Sequence, residues 1–404
     1  MASRGSRRAR RYYSAQMIHL FVNALAASAG GGLTYIRNVA SHLASVRDVR
    51  VTILLTPQFR RQLGNWDNIS LIEWANETGT ARRFWREQWQ LPALIRRSGA
   101  DVLISAGNFA LWKSPVPQIL LSRNSLYVST DFQRDLRARG DYLLWLDTNF
   151  KGALARASIG CADLTVAPSA AFAQKLAEWA GTDVAGIHHG FDRQIFFGNH
   201  SSLPEPIQHK LDEAEDTLRL LFVSHYNYYR NFETLIQALI LLKRQLFPRR
   251  VTLVLTCKLS SNENPGSYRA DSVAALVQQS GLSKDVIELG TVPYHLLHRV
   301  YGQCDIYVSP AYAETFAHPL VEAMASSLPV VASDLPVHRE ICRDAALYFP
   351  HFSPQSLTDR ILQLASSPDL AAELSQKGLA RSQDFSWSKH VDELLNLARG
   401  LAQA

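Results

Sequence analysis

ETFAHPLVEAMASSLPVVASD, Glu314 to Asp334, follows the apolar run IYVSP and passes through a helical pattern into a second apolar run, VVA. Strand, short turn and helix start in that order make an anion site. The first backbone N–H groups of a helix have no partner inside it, and the helix dipole favours negative charge there. Thr315, Phe316, Ala317 and His318 occupy the turn. Pro319 suits a first helical turn, where no N–H donor is needed. A diphosphate can therefore rest on the amides of Phe316, Ala317 and His318. Glu314 precedes the helix, and Glu322 sits about one turn inside it. A carboxylate there accepts two hydroxyl hydrogen bonds, as a ribose diol offers. An isolated pair with this spacing also reads as two solvated surface glutamates, and the strand–turn–helix context favours the first reading.

Outward from this stretch the same alternation fills the chain. In the C-terminal half, Leu218–Val223, Val251–Thr256, Val286–Leu289, Ile306–Ser309, Val330–Ala332 and Ala346–Tyr348 have strand length, and Asn231–Gln245, Asp271–Gln279 and Tyr294–Gly302 have helical spacing. In the N-terminal half the strands are Met17–Val22, Val51–Leu55, Asp101–Ile104, Gln118–Leu121 and Leu164–Val166, and the helices are Leu33–Ala44 and Ser169–Trp179. Alternation of this kind implies α/β units with parallel sheets covered on both faces. Turn residues from His188 to Asn199, then Pro204 and Pro206, mark a linker. The expected organisation is a first domain at 1–187, a linker at 188–217, a second domain at 218–385, and an amphipathic closing helix at 386–404. A length of 404 residues agrees with two domains.

The net charge is +6, with basic residues concentrated in RGSRRARR (Arg4–Arg11) and ARRFWREQWQLPALIRR (Ala81–Arg97). These stretches read either as a solvated tail and helix face or as attraction to an anionic surface. The Arg, Trp and Phe mixture of the second suits a membrane interface, where basic heads stay wet and rings sit at headgroup level. No nucleic-acid module is recognised, so nucleic acid is not an expected partner. The four cysteines lie far apart with no C-x-x-C pair, which argues against a disulfide framework or a zinc site and fits a reducing, cytoplasmic compartment. The segment MIHLFVNALAASAG resembles a secretory signal, but His19 and Asn23 interrupt it and it runs straight into three glycines and a helical pattern. It reads as a first strand and its glycine turn. No run of about 18 apolar residues suggests a membrane span.

The segment Glu314–Ala332 resembles the hallmark of the retaining GT-B glycosyltransferases of family 4, also called glycosyltransferase group 1: E-G-F-G-x-P-x-x-E-A-M-A-x-G-x-P-V-V-A. Glu314, Phe316, Pro319, Glu322, Ala323, Met324, Ala325, Pro329, Val330, Val331 and Ala332 agree. Thr315, Ala317 and Ser327 replace common glycines, and His318 stands at an often apolar position. A second match, LLFVSHYNYYRNFETLIQAL (Leu220–Leu239), resembles V-G-R-x4-K-N-x3-L-I-x-A. His225 stands where Arg is usual and Arg230 where Lys is usual, while Asn231, Leu235, Ile236 and Ala238 agree.

The resemblance implies a GT-B fold: two Rossmann-like β/α/β domains facing a cleft, with the last helix closing back toward the first domain. It implies that Glu314 lies near the transferred sugar, that Glu322 binds the nucleotide ribose, and that a basic pair grips the donor diphosphate. Arg230 can do that as a permanent cation with a bidentate fork, whereas His225 offers hydrogen bonds or partial charge near neutral pH. The loop Gly290–Val292 is expected against the nucleobase, and Gly31 and Gly32 in the phosphate-facing loop after the first strand. Many relatives carry a His near the donor sugar where this chain has Arg123, Asn124 and Ser125, and Asn124 is the expected substitute. Asn108 is a further residue expected to face the cleft. The catalytic set is then Glu314, Arg230 and Asn124. The donor set adds Gly31, Gly32, His225, Asn231, Gly290, Val292, Thr315, Phe316, Ala317, His318 and Glu322.

His188 and His189 invite a metal reading, but adjacent histidines on a turn chelate one ion poorly, so a hinge role is expected. The sequence has no D-x-D, so the expected chemistry is metal-independent, with a UDP- or GDP-linked sugar as co-substrate and a glycan or lipid-linked acceptor. A GT-B scaffold that binds nucleotide sugars without transfer is the alternative. A dinucleotide oxidoreductase would want G-x-G-x-x-G, and Tyr35 stands at the last glycine position.

Overall fold

The computed structural model describes residues 17–27, 30–75, 79–260, 263–264, 266 and 268–404. The basic stretch Arg4–Arg11 lies outside the described residues. Seven strands form the first sheet: β1 (Ile18–Asn23), β2 (Val49–Leu55), β3 (Ile69–Glu73), β4 (Val102–Ser105), β5 (Gln118–Leu121), β6 (Leu164–Ala167) and β7 (Ala185–Gly186), in the order β3-β2-β1-β4-β5-β6-β7. Six form the second: β8 (Leu218–Phe222), β9 (Val251–Leu255), β10 (Val286–Glu288), β11 (Ile306–Ser309), β12 (Val330–Ser333) and β13 (Ala346–Phe349), in the order β10-β9-β8-β11-β12-β13. The recorded pairings between these strands are parallel. The Val- and Leu-rich strands β8, β9 and β12 are buried along nearly their whole length, as strands covered on both faces are. The α/β expectation and the double Rossmann-like pattern hold.

The sheets reverse their strand order between β1 and β4 and between β8 and β11. In open α/β sheets, ligands bind outside the carboxyl ends of the strands at such a switch point. At the first, the loops after β1 and β4 approach so closely that a Cβ on Gly107 would lie 2.4 Å from the Ala26 methyl. Asn108 follows in the left-handed region at φ 64°.

By compactness the described chain divides into two units. One runs to Leu120 and includes Cys161–Asp163 and Leu395–Ala404; the other holds Leu121–Gly160 and Leu164–Leu394. In the first unit, the last turns of the Trp387–Ala402 helix carry Arg399, which pairs with Asp48. In the second, the helix Thr130–Ala138 sends Phe132 and Leu136, both fully buried, into the same core as Leu220, Phe232 and Val331. Asp135 on that helix accepts from Tyr312 Oη at 2.7 Å and from Arg139 at 2.7 Å, and Arg139 reaches Glu233 at 2.7 Å. Cys161 ends the exposed face of the helix Tyr142–Cys161, while Cys257, Cys304 and Cys342 are buried.

Two of the substituted glycine positions have a measurable consequence. Ala317 and Ser327 both adopt positive φ, 63° and 57°. Ser327 follows the helix His318–Ala325 in a Schellman arrangement: its N–H donates to Met324 O at 3.1 Å and Leu328 N–H to Ala323 O at 3.0 Å. A side chain in that region costs roughly 1–2 kcal/mol, partly offset by the lower chain entropy of an unfolded non-glycine residue. Ser327 is exposed, so Ser327→Gly loses no packing. It is expected to stabilise the chain by about 0.5–1 kcal/mol, seen as a higher denaturant midpoint at unchanged slope. A lower midpoint would contradict the assigned backbone. Ala317 is the less clean test, because its methyl is buried.

Candidate active site

The switch point of the second sheet brings together two loops that are 84 residues apart in sequence. Each leaves the carboxyl end of its strand, β8 or β11. Tyr312 N–H donates to Tyr229 O at 3.0 Å across them. Asn231, itself left-handed at φ 58°, donates from its side-chain amide to Pro310 O at 3.1 Å and to His351 O, and its oxygen accepts from Thr234 Oγ1 at 2.9 Å. Asn231 is buried with its side-chain groups used in this way, so it braces the loops. Asparagine suits the place because its short side chain tolerates the left-handed region.

Between the braced loops, Arg230 Nη1 meets Glu314 Oε1 in an ion pair. The Arg230 guanidinium also lies 5.0 Å from the centre of the Tyr229 ring. Thr315 N–H reaches Glu314 Oε2 at 3.3 Å. Both carboxylate oxygens thus have a donor. His225 lies on the same loop; partial loss of solvent and the Arg230 charge lower its pKa below the usual imidazole value, which favours the uncharged ring.

The turn Thr315–Ala317 delivers the chain into the helix His318–Ala325, with Ala317 as its N-cap. Phe316 is 1% exposed and packs against His318, with ring centres 4.8 Å apart, and against Phe385 at 5.4 Å. His318 is half-buried, and loss of solvent together with the charges of Arg123 and His390 pushes its pKa down to about 4. One turn inside, Glu322 is 5% exposed, so it is not a solvated surface glutamate. Tyr301 Oη donates to its Oε2 at 3.0 Å. Burial pushes its pKa up to about 7, opposed by hydrogen bonds from Tyr301 and Tyr294. Neither tyrosine was singled out in the sequence. Their signal is only that the segment carrying them lies ahead of β11, and nothing in its spacing marks an acid partner.

The remaining expected residues are placed as follows. Gly290 is buried with φ 78° just beyond β10, and Val292 is half-buried two residues on. Asn124 uses its side-chain oxygen to cap the short 3₁₀ turn Ser125–Val128, accepting from Leu126 N–H at 3.0 Å. Gly31 and Gly32 belong to the other unit and lie inside the first turn of the helix Gly30–Leu43, which starts three residues earlier than the spacing predicts. A Cβ on Gly31 would meet nothing within 4 Å, so its value is open space at a helix N-terminus rather than a positive φ. His188 lies against Glu340, and His189 stacks on Trp387 with ring centres 5.7 Å apart. A Cβ on the following Gly190 would lie 2.2 Å from Trp387 N, so two chain segments cross there in near contact. Among the described residues no group of three or more His, Cys, Asp and Glu is arranged to hold a metal ion.

Two family profiles match: glycosyl transferases group 1 over residues 205–381 and glycosyltransferase family 4 over residues 29–195. The chain belongs to glycosyltransferase group 1. This group 1 chain is 25% identical over 219 residues to the D-inositol 3-phosphate glycosyltransferase of Corynebacterium aurimucosum, across 53% of this chain and 51% of that relative. The match spans about half the length of that curated relative, and from 16% to 57% of other curated relatives. Among solved structures it resembles the sucrose-phosphate synthase of Thermosynechococcus elongatus (TM-score 0.74, 17% identity, 95% and 99% of the two chains). It also resembles Anabaena Alr3699/HepE in complex with UDP-glucose (TM-score 0.70, 19% identity, 95% and 100%). At these identities the structures establish the GT-B fold.

Proposed function

We propose that the chain is a retaining, metal-independent glycosyltransferase. It moves a hexosyl group from a UDP- or GDP-linked sugar to a glycan or lipid-linked acceptor, in the assembly of a bacterial surface polysaccharide. The observation that carries this reading is the meeting of Arg230 and Glu314 at a switch point, beside a helix start whose amides are free of the helix's own ladder. In it, residues 218–385 hold the donor, 1–187 the acceptor, and 188–217 link them. The donor's anomeric C–O bond breaks, the diphosphate leaves with the electron pair, and the acceptor oxygen bonds to the same carbon. Arg230 and the amides of Phe316–His318 stabilise the departing charge, and preorganised stabilisation of this kind is commonly the largest catalytic contribution. The acceptor's proton passes to the leaving phosphate, so no separate protein base is needed. The UDP-glucose complex of the similar Anabaena protein supports a nucleotide-sugar donor.

The test is a thermal-shift screen against UDP, GDP and ADP, followed by a transfer assay with the matching nucleotide sugar. A ligand that binds the folded state raises the midpoint. No shift with any of the three would remove the reading. A shift without transfer or donor hydrolysis would favour the binding-only alternative, which His225, with its lowered pKa, in place of an arginine keeps in view.

The reading includes peripheral contact with an anionic membrane from the cytoplasmic side. No helix among the described residues is long and apolar enough to cross a membrane. The helix Thr80–Ser98 instead exposes Trp85 (51%) and Trp89 (80%) among Arg82, Arg83 and Arg86. Its single acid, Glu87, is buried against Asn23 Nδ2 at 2.7 Å and Arg83 at 3.3 Å, so the surface keeps an unbalanced positive charge. Anionic vesicles are expected to retain the protein at low salt and release it as salt rises. Equal retention on neutral vesicles would refute the contact.

A further inference from the structure

Ser169 ends the stretch leading from β6 into the helix Ala170–Ala180 and is fully buried. Its hydroxyl makes two hydrogen bonds. It accepts from Phe172 N–H at 3.2 Å, capping its own helix, and it donates to the backbone oxygen of Thr315 at 2.7 Å, across 146 residues of sequence. The start of that helix is held in turn by Glu340, whose carboxylate accepts from Ala170 N–H at 2.8 Å and Ala171 N–H at 2.6 Å and lies against His188. Glu340 is itself fixed: Arg381 donates to the backbone oxygens of Glu340 at 3.0 Å and Ile341 at 2.9 Å. The hydroxyl therefore sits at a rigid point.

The Thr315 carbonyl belongs to the same peptide group as the Phe316 N–H. A trans peptide is planar, and its C=O and N–H point in opposite directions. Whatever holds the carbonyl therefore aims the amide. The turn needs such a hold. Ala317, next in the chain, carries the left-handed φ of 63° that a side chain disfavours, so neighbouring peptides can relieve it by rotating. We infer that Ser169 is a positioning residue for the donor site, its hydroxyl locking the Thr315–Phe316 peptide so that the Phe316 N–H faces the donor diphosphate. This rests on the reading of the turn as the diphosphate cradle. Ser169 touches no substrate and acts through the peptide.

The experiment compares Ser169→Ala, Ser169→Cys and Ser169→Thr with the parent and with Glu314→Ala. The readouts are unfolding midpoint, transfer kinetics, and affinity for the binding nucleoside diphosphate and for its parent nucleoside. Ser169→Ala is expected to weaken diphosphate binding about tenfold and to lower kcat/KM by up to ~10², the order expected for misplacing a group by about 1 Å. Nucleoside affinity should stay within twofold, which a general loss of structure would not allow. Ser169→Thr keeps the hydroxyl and should remain within about threefold of the parent. If Ser169→Ala is unfolded at the assay temperature, Ser169→Cys, which keeps the shape but offers a weak donor, is read in its place. A folded Ser169→Ala or Ser169→Cys with diphosphate affinity and kcat/KM within twofold of the parent overturns the inference. If that occurs while Glu314→Ala is inactive, only the role of Ser169 falls. A parent that binds no nucleoside diphosphate, or a fully active Glu314→Ala, removes the cradle and the inference together.

Discussion

Arg230→Ala is expected to lower kcat/KM for glycosyl transfer by ~10² or more, with most of the loss in kcat, because in the proposed reaction its charge stabilises the departing diphosphate. Loss of a ground-state contact would appear in KM instead. The ion pair adds a second signature. Arg230 and Glu314 are largely shielded from solvent, with side chains 19% and 9% exposed. Removing the guanidinium leaves that carboxylate without its cationic partner in a poorly hydrated place, which is destabilising. Glu314→Ala is expected to cause a loss of the same order. If the two act as a unit, the double variant loses about as much as the worse single one, as coupled residues do. Kinetic parameters within about threefold of the parent in either single variant would refute the site. Multiplied losses in the double variant would mean that the residues act separately.

Glu322→Gln is expected to weaken nucleoside diphosphate binding by roughly 10- to 100-fold, the worth of hydrogen bonds to a charged acceptor. The effect depends on pH. With its pKa pushed up to about 7 by burial, the carboxyl is partly protonated at neutral pH. Two ribose hydroxyls need an acceptor with no proton, so parent affinity should improve several-fold from pH 6 to pH 8, and the Gln variant should lose this slope.

Stability runs the other way. The folded-state carboxyl holds its proton more tightly than the unfolded one near 4.5. Its contribution is complete below about pH 4.5 and is lost as pH rises through 7, by ~3 kcal/mol at 1.36 kcal/mol per tenfold. His189, His318, His338 and His390 have lowered pKa values and act in the opposite sense, losing stability as pH falls below their unfolded value near 6.5. The difference between parent and Glu322→Gln unfolding free energies isolates the glutamate. A difference that does not change between pH 4.5 and pH 8 would refute the raised pKa.

The sequence carried the strands of the second sheet closely, because β8, β9, β11 and β12 are short, mostly apolar runs separated by helical patterns. It also carried the turn at Glu314, where chemistry and local pattern coincide. The substituted glycines were informative too: Ala317 and Ser327 stand where the family has glycine, and both keep the glycine-like φ. Three things were not legible. The helix Thr130–Ala138 lies in the first half of the sequence, yet Phe132 and Leu136 pack in the core of the second sheet, a choice made by tertiary contact rather than by periodicity. Gly30–Gly32 read as a loop, but the helix begins there, since glycine's low propensity is overridden once the later turns of the helix, with Tyr35, Ile36 and Val39 buried, anchor the first. Ser169 read only as the first residue of a helix, and the structure makes it the N-cap. Its second bond is to a backbone oxygen 146 residues away, and a carbonyl leaves no trace in a side-chain pattern.

The uneven exposure of the thiols offers a practical handle. Cys257, Cys304 and Cys342 are enclosed, and burial pushes each thiol up to about 12, whereas Cys161 is open to solvent. Thiolate is the reactive form, so a maleimide dye added near neutral pH would attach at one known position in the unaltered polypeptide. Fluorescence could then follow the molecule onto vesicles or into complexes without any engineered cysteine.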